Sequence, residues 1–245
     1  MLQTRNDVIY PLIYELNVTV KLKKAVEFSQ IPEFLSKNIN YSFLLDKDLK
    51  NLHSKNHIKP YSLSFLQSHK GRKDLFDVNE IAFFKIRSIF PKIIESMKYC
   101  LENSKGFDFQ VLGTLTTDFA PTNIQSLYTM SPAVVTISID NKSYCWTKKD
   151  SDILTLKNSL ETNLKNKFSL FIDNSVSFND DIIELIEIKN DKPFMFPYKS
   201  GKIFAYRYKV YFANNSYARE LAKIALALGL GEKGSLTFGF CEKGR

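Results

Sequence analysis

Three histidines, His53, His57 and His69, are the side chains best suited to moving a proton near neutral pH, because an unperturbed imidazole titrates at about 6.5. Lys59 follows close behind the first two, and an ammonium group suits a place where negative charge develops during a reaction. Far along the chain stands Gly229-Leu230-Gly231-Glu232-Lys233-Gly234-Ser235-Leu236-Thr237-Phe238-Gly239-Phe240. Its closely spaced glycines let the backbone approach a ligand, its amides suit phosphate oxygens, and Lys233 adds positive charge. It is not a Walker A loop, since the lysine precedes Gly234-Ser235 and the string follows a helical pattern. On its glycines alone it reads first as a tight helix-to-strand turn. Arg207 and Lys209 alternate on a strand pattern, so they share one face and suit tracking phosphates. Phe83 and Phe84 offer base-stacking surfaces, but on a strand they read first as core. Cys100, Cys145 and Cys241 are too scattered for a zinc site or a disulfide framework.

The elements that must position these groups follow from the spacing of apolar residues. Val8 to Leu22 alternates as a half-buried strand. Pro32 opens a helix through about Leu45, with His53 expected at the end of that helical region. Lys59 to Leu66 reads as a strand, Gln67 to Lys73 as a turn, and Glu80 to Arg87 as a returning strand. Phe90, Ile94, Met97 and Leu101 have helical spacing, stopped at Lys105-Gly106, and Phe107 to Thr117 is again strand-like. The order is β-α-β-β-α-β.

The second half repeats it. Ala133 to Ile139 is a strand that Asp140-Asn141-Lys142 turns into Ser143 to Trp146. Ile153, Leu156, Leu160 and Leu164 mark a helix capped by Asp150 or Ser151. Ile182 to Ile188 and Phe204 to Phe212 read as strands, Tyr217 to Leu228 as a helix stopped at Gly229, and Ser235 to Glu242 as a final strand. The expected class is therefore α+β, two tandem ferredoxin-like (RRM-like, βαββαβ) domains over residues 1–120 and 121–245.

Composition sets the setting. Of 245 residues 44% are hydrophobic, and no run is long and apolar enough for a membrane span. The first residues carry no apolar signal core, so a cytoplasmic protein is expected. The net charge is +8, and each half carries 17 basic against 13 acidic residues. A basic excess spread through the folded body suits a polyanion, most often nucleic acid.

The full string 229–240 is more specific than its glycines. It resembles the C-terminal glycine-rich signature of the CRISPR repeat-processing endoribonucleases and, more broadly, of the repeat-associated RNA-binding proteins. It departs at Gly234, where Asn is usual, and at Thr237, where a strand glycine is usual. Ser131-Pro132-Ala133-Val134-Val135-Thr136 resembles the strand that opens the family's second domain, and Asn163-Leu164 to Lys167-Phe168 the following helix end. Leu52-His53 with Lys59-Pro60-Tyr61-Ser62 resembles the catalytic region.

The resemblance implies an endoribonuclease that cuts CRISPR precursor RNA within the repeat, without a metal or cofactor, leaving a 2′,3′-cyclic phosphate. It places the general base at His53, with His57 in the same loop as the rival, charge stabilisation at Lys59, and a catalytic tyrosine at Tyr41. RNA contacts fall to Gly229, Gly231, Lys233, Gly234 and Ser235, with Arg207 and Lys209 beside them. The partners implied are the precursor and mature repeat RNA, with a CRISPR effector complex in prospect, no membrane, and a monomer or homodimer. Two alternatives stand beside this reading. One is a repeat-binding subunit that does not cut, which would not need a histidine in the catalytic loop. The other is an RNA-recognition protein of another pathway, for which the usual aromatic RNP strings are missing.

Overall fold

A computed structural model describes residues 12–71 and 74–244. The first half contains β1 (Ile13–Leu22), β2 (Val26–Glu27), α1 (Ile31–Ser42), α2 (Lys47–Ser54) and β3 (Tyr61–Leu63). It continues through β4 (Leu75–Phe76), β5 (Ile81–Ser88), α3 (Pro91–Asn103) and β6 (Phe109–Phe119). The second half holds β7 (Ser126–Thr129), β8 (Thr136–Ile139), β9 (Lys142–Cys145), α4 (Ile153–Phe171) and β10 (Ile183–Ile188). It closes with β11 (Phe194–Tyr198), β12 (Gly201–Ala205), β13 (Tyr208–Phe212), α5 (Ser216–Leu228) and β14 (Cys241–Lys243).

Two antiparallel sheets carry the fold, in the orders β3-β5-β1-β6 and β10-β13-β7-β14. Counting only the four strands of each unit, both read second, third, first, fourth, the ferredoxin-like arrangement in each half. Alternation sets the inner face: Leu16, Val18, Val20 and Leu22 of β1 are fully buried. Helix α5 is an exception to amphipathic design, with every residue from Glu220 to Leu228 buried. It packs on β3 and β5 of the first sheet and on β7, β13 and β14 of the second, so beyond its exposed first turn no face remains for solvent. The cores interlock: Phe196, Ile203 and Ala205 of the β11–β12 hairpin pack into the first-half core.

Several sequence expectations change at element level. The part of the first strand at residues 8–11 lies outside the described residues, as do residues 72 and 73 of the expected turn. The helix from Pro32 breaks at Ser42, and His53 sits on the separate helix α2. Leu44 and Leu45, which prolonged the apolar pattern, face solvent. The opening strand of the second sheet is β7; the Ala133–Ile139 segment instead yields β8, a two-stranded ribbon with β9. The expected Phe204–Phe212 strand is two strands, β12 and β13, in different sheets. Asp152, and neither Asp150 nor Ser151, caps α4, accepting from the Thr155 N–H at 2.7 Å. Ser235 to Glu242 is mostly a compact loop, leaving only β14 as strand.

Candidate active site

Helix α2 is short, and both ends are tied. Asp46 starts it, its Oδ1 accepting from the N–H groups of Asp48 and Leu49, each at 2.9 Å. Lys59 closes it: Nζ donates to the carbonyls of Leu52 (2.5 Å), His53 (3.2 Å) and Lys55. These are carbonyls that a helix end leaves without an internal donor, and a cation there also suits the helix dipole. Lys59 therefore fixes the turn that carries His53, an occupation its place in the sequence did not reveal. The His53 ring meets Phe43 with centroids 6.3 Å apart. Partial burial, then the charge of Lys59, holds its pKa below the ordinary value. The neutral, proton-accepting form is favoured at neutral pH.

The glycine-rich loop forms for local reasons. Gly229 ends α5 at φ 81°, and Gly231 stands at φ 73°, where an added Cβ would lie 2.4 Å from the Val134 carbonyl oxygen. Gly234 has no left-handed backbone; there a Cβ would approach the Leu228 oxygen at 3.0 Å. The loop is held on the second half by Glu232 N–H donating to Val134 O (2.8 Å) and Gly239 N–H to Pro132 O (2.9 Å).

These two regions line one cleft of about 520 Å³. His53, His57 and Lys59 reach it from one side of the sequence, and Gly231, Lys233, Gly234 and Ser235 from the other. Lys55 and Lys167 add further cations, and Asn40, Asn56, Asn163 and Asn166 add amides that both donate and accept. Among the described residues, Glu232 is the one carboxylate on this lining, and it accepts a hydrogen bond from Thr136 Oγ1. The cleft is thus a basic, polar channel with a proton acceptor and a phosphate-suited loop.

Residues 117–243 match the family model described as CRISPR associated protein Cas6, C-terminal. The chain belongs to the Cas6 family. Among solved structures, it resembles one named CRISPR associated protein Cas6 at 20% identity and TM-score 0.70, covering 95% of this chain and all of that one. A structure described as an RAMP protein binding different RNA substrates matches at 18% identity and TM-score 0.74, over 96% and 99% of the two chains. A Cas6-related protein from Pyrococcus furiosus matches at 19% identity and TM-score 0.70, over 95% and 98%. These likenesses are of fold. No curated protein matches the chain.

Not every expected residue of this Cas6-family chain reaches the cleft. Tyr41 lies beside Gly106, half exposed, and does not line it. The preceding residue Asn40 does, since one helical step turns the side chain by about 100°. Gly229 stands behind the loop as the helix terminus. Arg207 and Lys209 border a different groove of about 700 Å³, between the second sheet and the 65–76 region of the first half, with Lys189, Lys243 and Tyr128. His69 packs against Phe83 with the rings tilted and centroids 4.9 Å apart, while Phe84 is core. Among the described residues, no three His, Cys, Asp or Glu side chains gather in a metal-binding group. None of their helices is long and apolar enough to cross a membrane.

Lys167, noted in the sequence only as part of a helix end, has a role that sequence reasoning did not assign. Buried on α4, its Nζ donates to the carbonyls of Gly229 and Gly231, both at 2.7 Å. Burial pushes its pKa down to about 8. Its signal was present: it continues the core-facing series Leu156, Leu160, Leu164, where a lysine needs a buried partner.

Proposed function

We propose that this chain binds CRISPR repeat RNA in the cleft and cuts it by attack of the RNA's own 2′-OH on the adjacent phosphate. The observation that carries this reading is the meeting, in one cleft, of the His53–Lys59 segment and the glycine-rich loop. RNA brings its nucleophile with it, so the protein must remove a proton, offset charge on phosphorus and let the 5′-oxygen go. His53, neutral by virtue of its depressed pKa, takes the 2′-OH proton as general base. The 2′-oxygen–phosphorus bond forms, the phosphorus–5′-oxygen bond breaks, and a 2′,3′-cyclic phosphate remains; the leaving 5′-oxygen takes a proton from water, and the proton held by His53 then neutralises the hydroxide. Lys59 and Lys233 supply positive charge around the phosphate, and the glycine-rich loop holds the neighbouring backbone. His57 lines the same cleft and is the rival base. The released fragments serve as guide RNAs. In this mechanism no metal activates a water.

The test uses CRISPR repeat RNA presented in EDTA. Cleavage should proceed, and replacing the scissile 2′-OH with hydrogen should abolish it while sparing binding. A strict need for added divalent metal, with RNA properly folded, sinks the mechanism.

A further inference from the structure

The last carbonyls of α5 have no donor within the helix, and two of them are taken up by side chains of the other half. Ser62 Oγ donates to the Ala227 carbonyl at 2.8 Å, and Arg87 Nη1 to the Leu226 carbonyl at 3.3 Å. Ser62 and Arg87 are direct partners across β3 and β5. Arg87 also grips the chain as it returns from the glycine-rich loop. Nη1 donates to the Cys241 carbonyl at 2.5 Å, and Nη2 to the Glu242 carboxylate at 2.8 Å. One guanidinium therefore holds both ends of the stretch that contains the loop. It is itself fixed by Glu15 on β1, 2.6 Å from Nε, and by the Phe240 ring, 4.4 Å from Cζ. The next residue, Ser88, donates to the Pro60 carbonyl at 2.6 Å, immediately after Lys59. Consecutive residues of β5 thus tie down both walls of the cleft, yet Arg87 and Ser62 are buried and outside its lining.

We propose that Arg87, assisted by Ser62, is a positioning residue for RNA cleavage, setting the placement of the glycine-rich loop relative to the His53–Lys59 segment. The inference rests on the cleavage reading above. Orientation is a steep variable, since a displacement of about 1 Å can cost about a hundredfold in rate. Without the fork of Arg87, the end of α5 and the loop shift as a unit. Lys167 still preserves the loop's own shape through Gly229 and Gly231, so chemistry suffers more than binding.

The experiment compares wild type with Arg87→Lys, which keeps a cation beside the two carboxylates but loses the fork, and with the milder Ser62→Ala. Single-turnover cleavage at saturating protein, repeat affinity and amide hydrogen exchange are measured well below the melting temperature. Cleavage should fall about tenfold or more, with affinity within about threefold. Amides of residues 226–236 should exchange faster while those of β1 and β10 keep their rates. The clamp is overturned if loop exchange is unchanged in both variants, or if all amides accelerate together and the lost rate follows the folded fraction. Faster loop exchange with undiminished cleavage overturns the positioning role. If wild type cuts no repeat RNA, the cleavage reading falls, and exchange alone decides whether Arg87 holds the loop.

Discussion

At the scale of single residues, the depressed pKa of His53 has a direct consequence for rate. Cleavage should rise with pH along a limb centred below about 6.5, the ordinary imidazole value, because the protonated form cannot accept the 2′-OH proton. His53→Ala should lower the single-turnover rate by about 10² or more, with repeat affinity near wild type and a much smaller loss in His57→Ala. The reverse order would transfer the base to His57. Thr237 carries a different prediction. It stands at φ 73°, fully buried, with its hydroxyl lacking a hydrogen-bond partner. A β-branched residue in the left-handed region is strained, and an unpaired buried hydroxyl adds to the cost. Thr237→Gly should stabilise the fold by about 1 kcal/mol, raising Tm by about 2–4 °C. An unchanged or lower Tm refutes the strain account.

At the scale of elements, α2 decides how the site behaves. An eight-residue helix is marginal by itself, and here Asp46 and Lys59 hold its two ends. Lys59→Ala should therefore act twice. It removes the cation that helps depress the His53 pKa, so the acidic limb of the pH–rate profile should move to higher pH. It also loosens the last turn, lowering the plateau rate by about tenfold or more. A lower plateau with an unmoved limb would leave Lys59 a phosphate-facing charge alone. Helix α2 was illegible in the sequence because Leu44 and Leu45 extend the apolar pattern of α1 while facing solvent. Strand β7 was missed because only Ser126-Leu127-Tyr128-Thr129 are paired, too short for alternation to register. Its central place in the sheet comes entirely from partners at β13 and β14.

At the scale of the whole molecule, the net charge of +8 makes RNA affinity a matter of salt. Log affinity should fall linearly with log salt, by about 0.7 per phosphate neutralised on a single strand. If RNA also follows the groove that Lys209 borders, Lys209→Ala should reduce that slope by about this amount while sparing the rate at saturating protein. An unaltered slope confines the RNA to the cleft. The two-sheet fold was legible in the sequence because period-2 and helical spacing are local consequences of burying one face. Gly229 and Gly231 were legible as a loop because a left-handed backbone selects glycine locally. By itself, then, the sequence determined the order of the main elements, the basic surface and the types of residue able to move a proton or hold a phosphate. Tertiary structure decided which of them meet. It brought His53 and Lys233 into one cleft, turned Tyr41 away in favour of Asn40, and sent Arg207 and Lys209 to another groove. It also buried Lys167 and Arg87 behind the loop they hold. Such outcomes depend on helix phase and on contacts between distant segments, and periodicity along the chain carries no record of either.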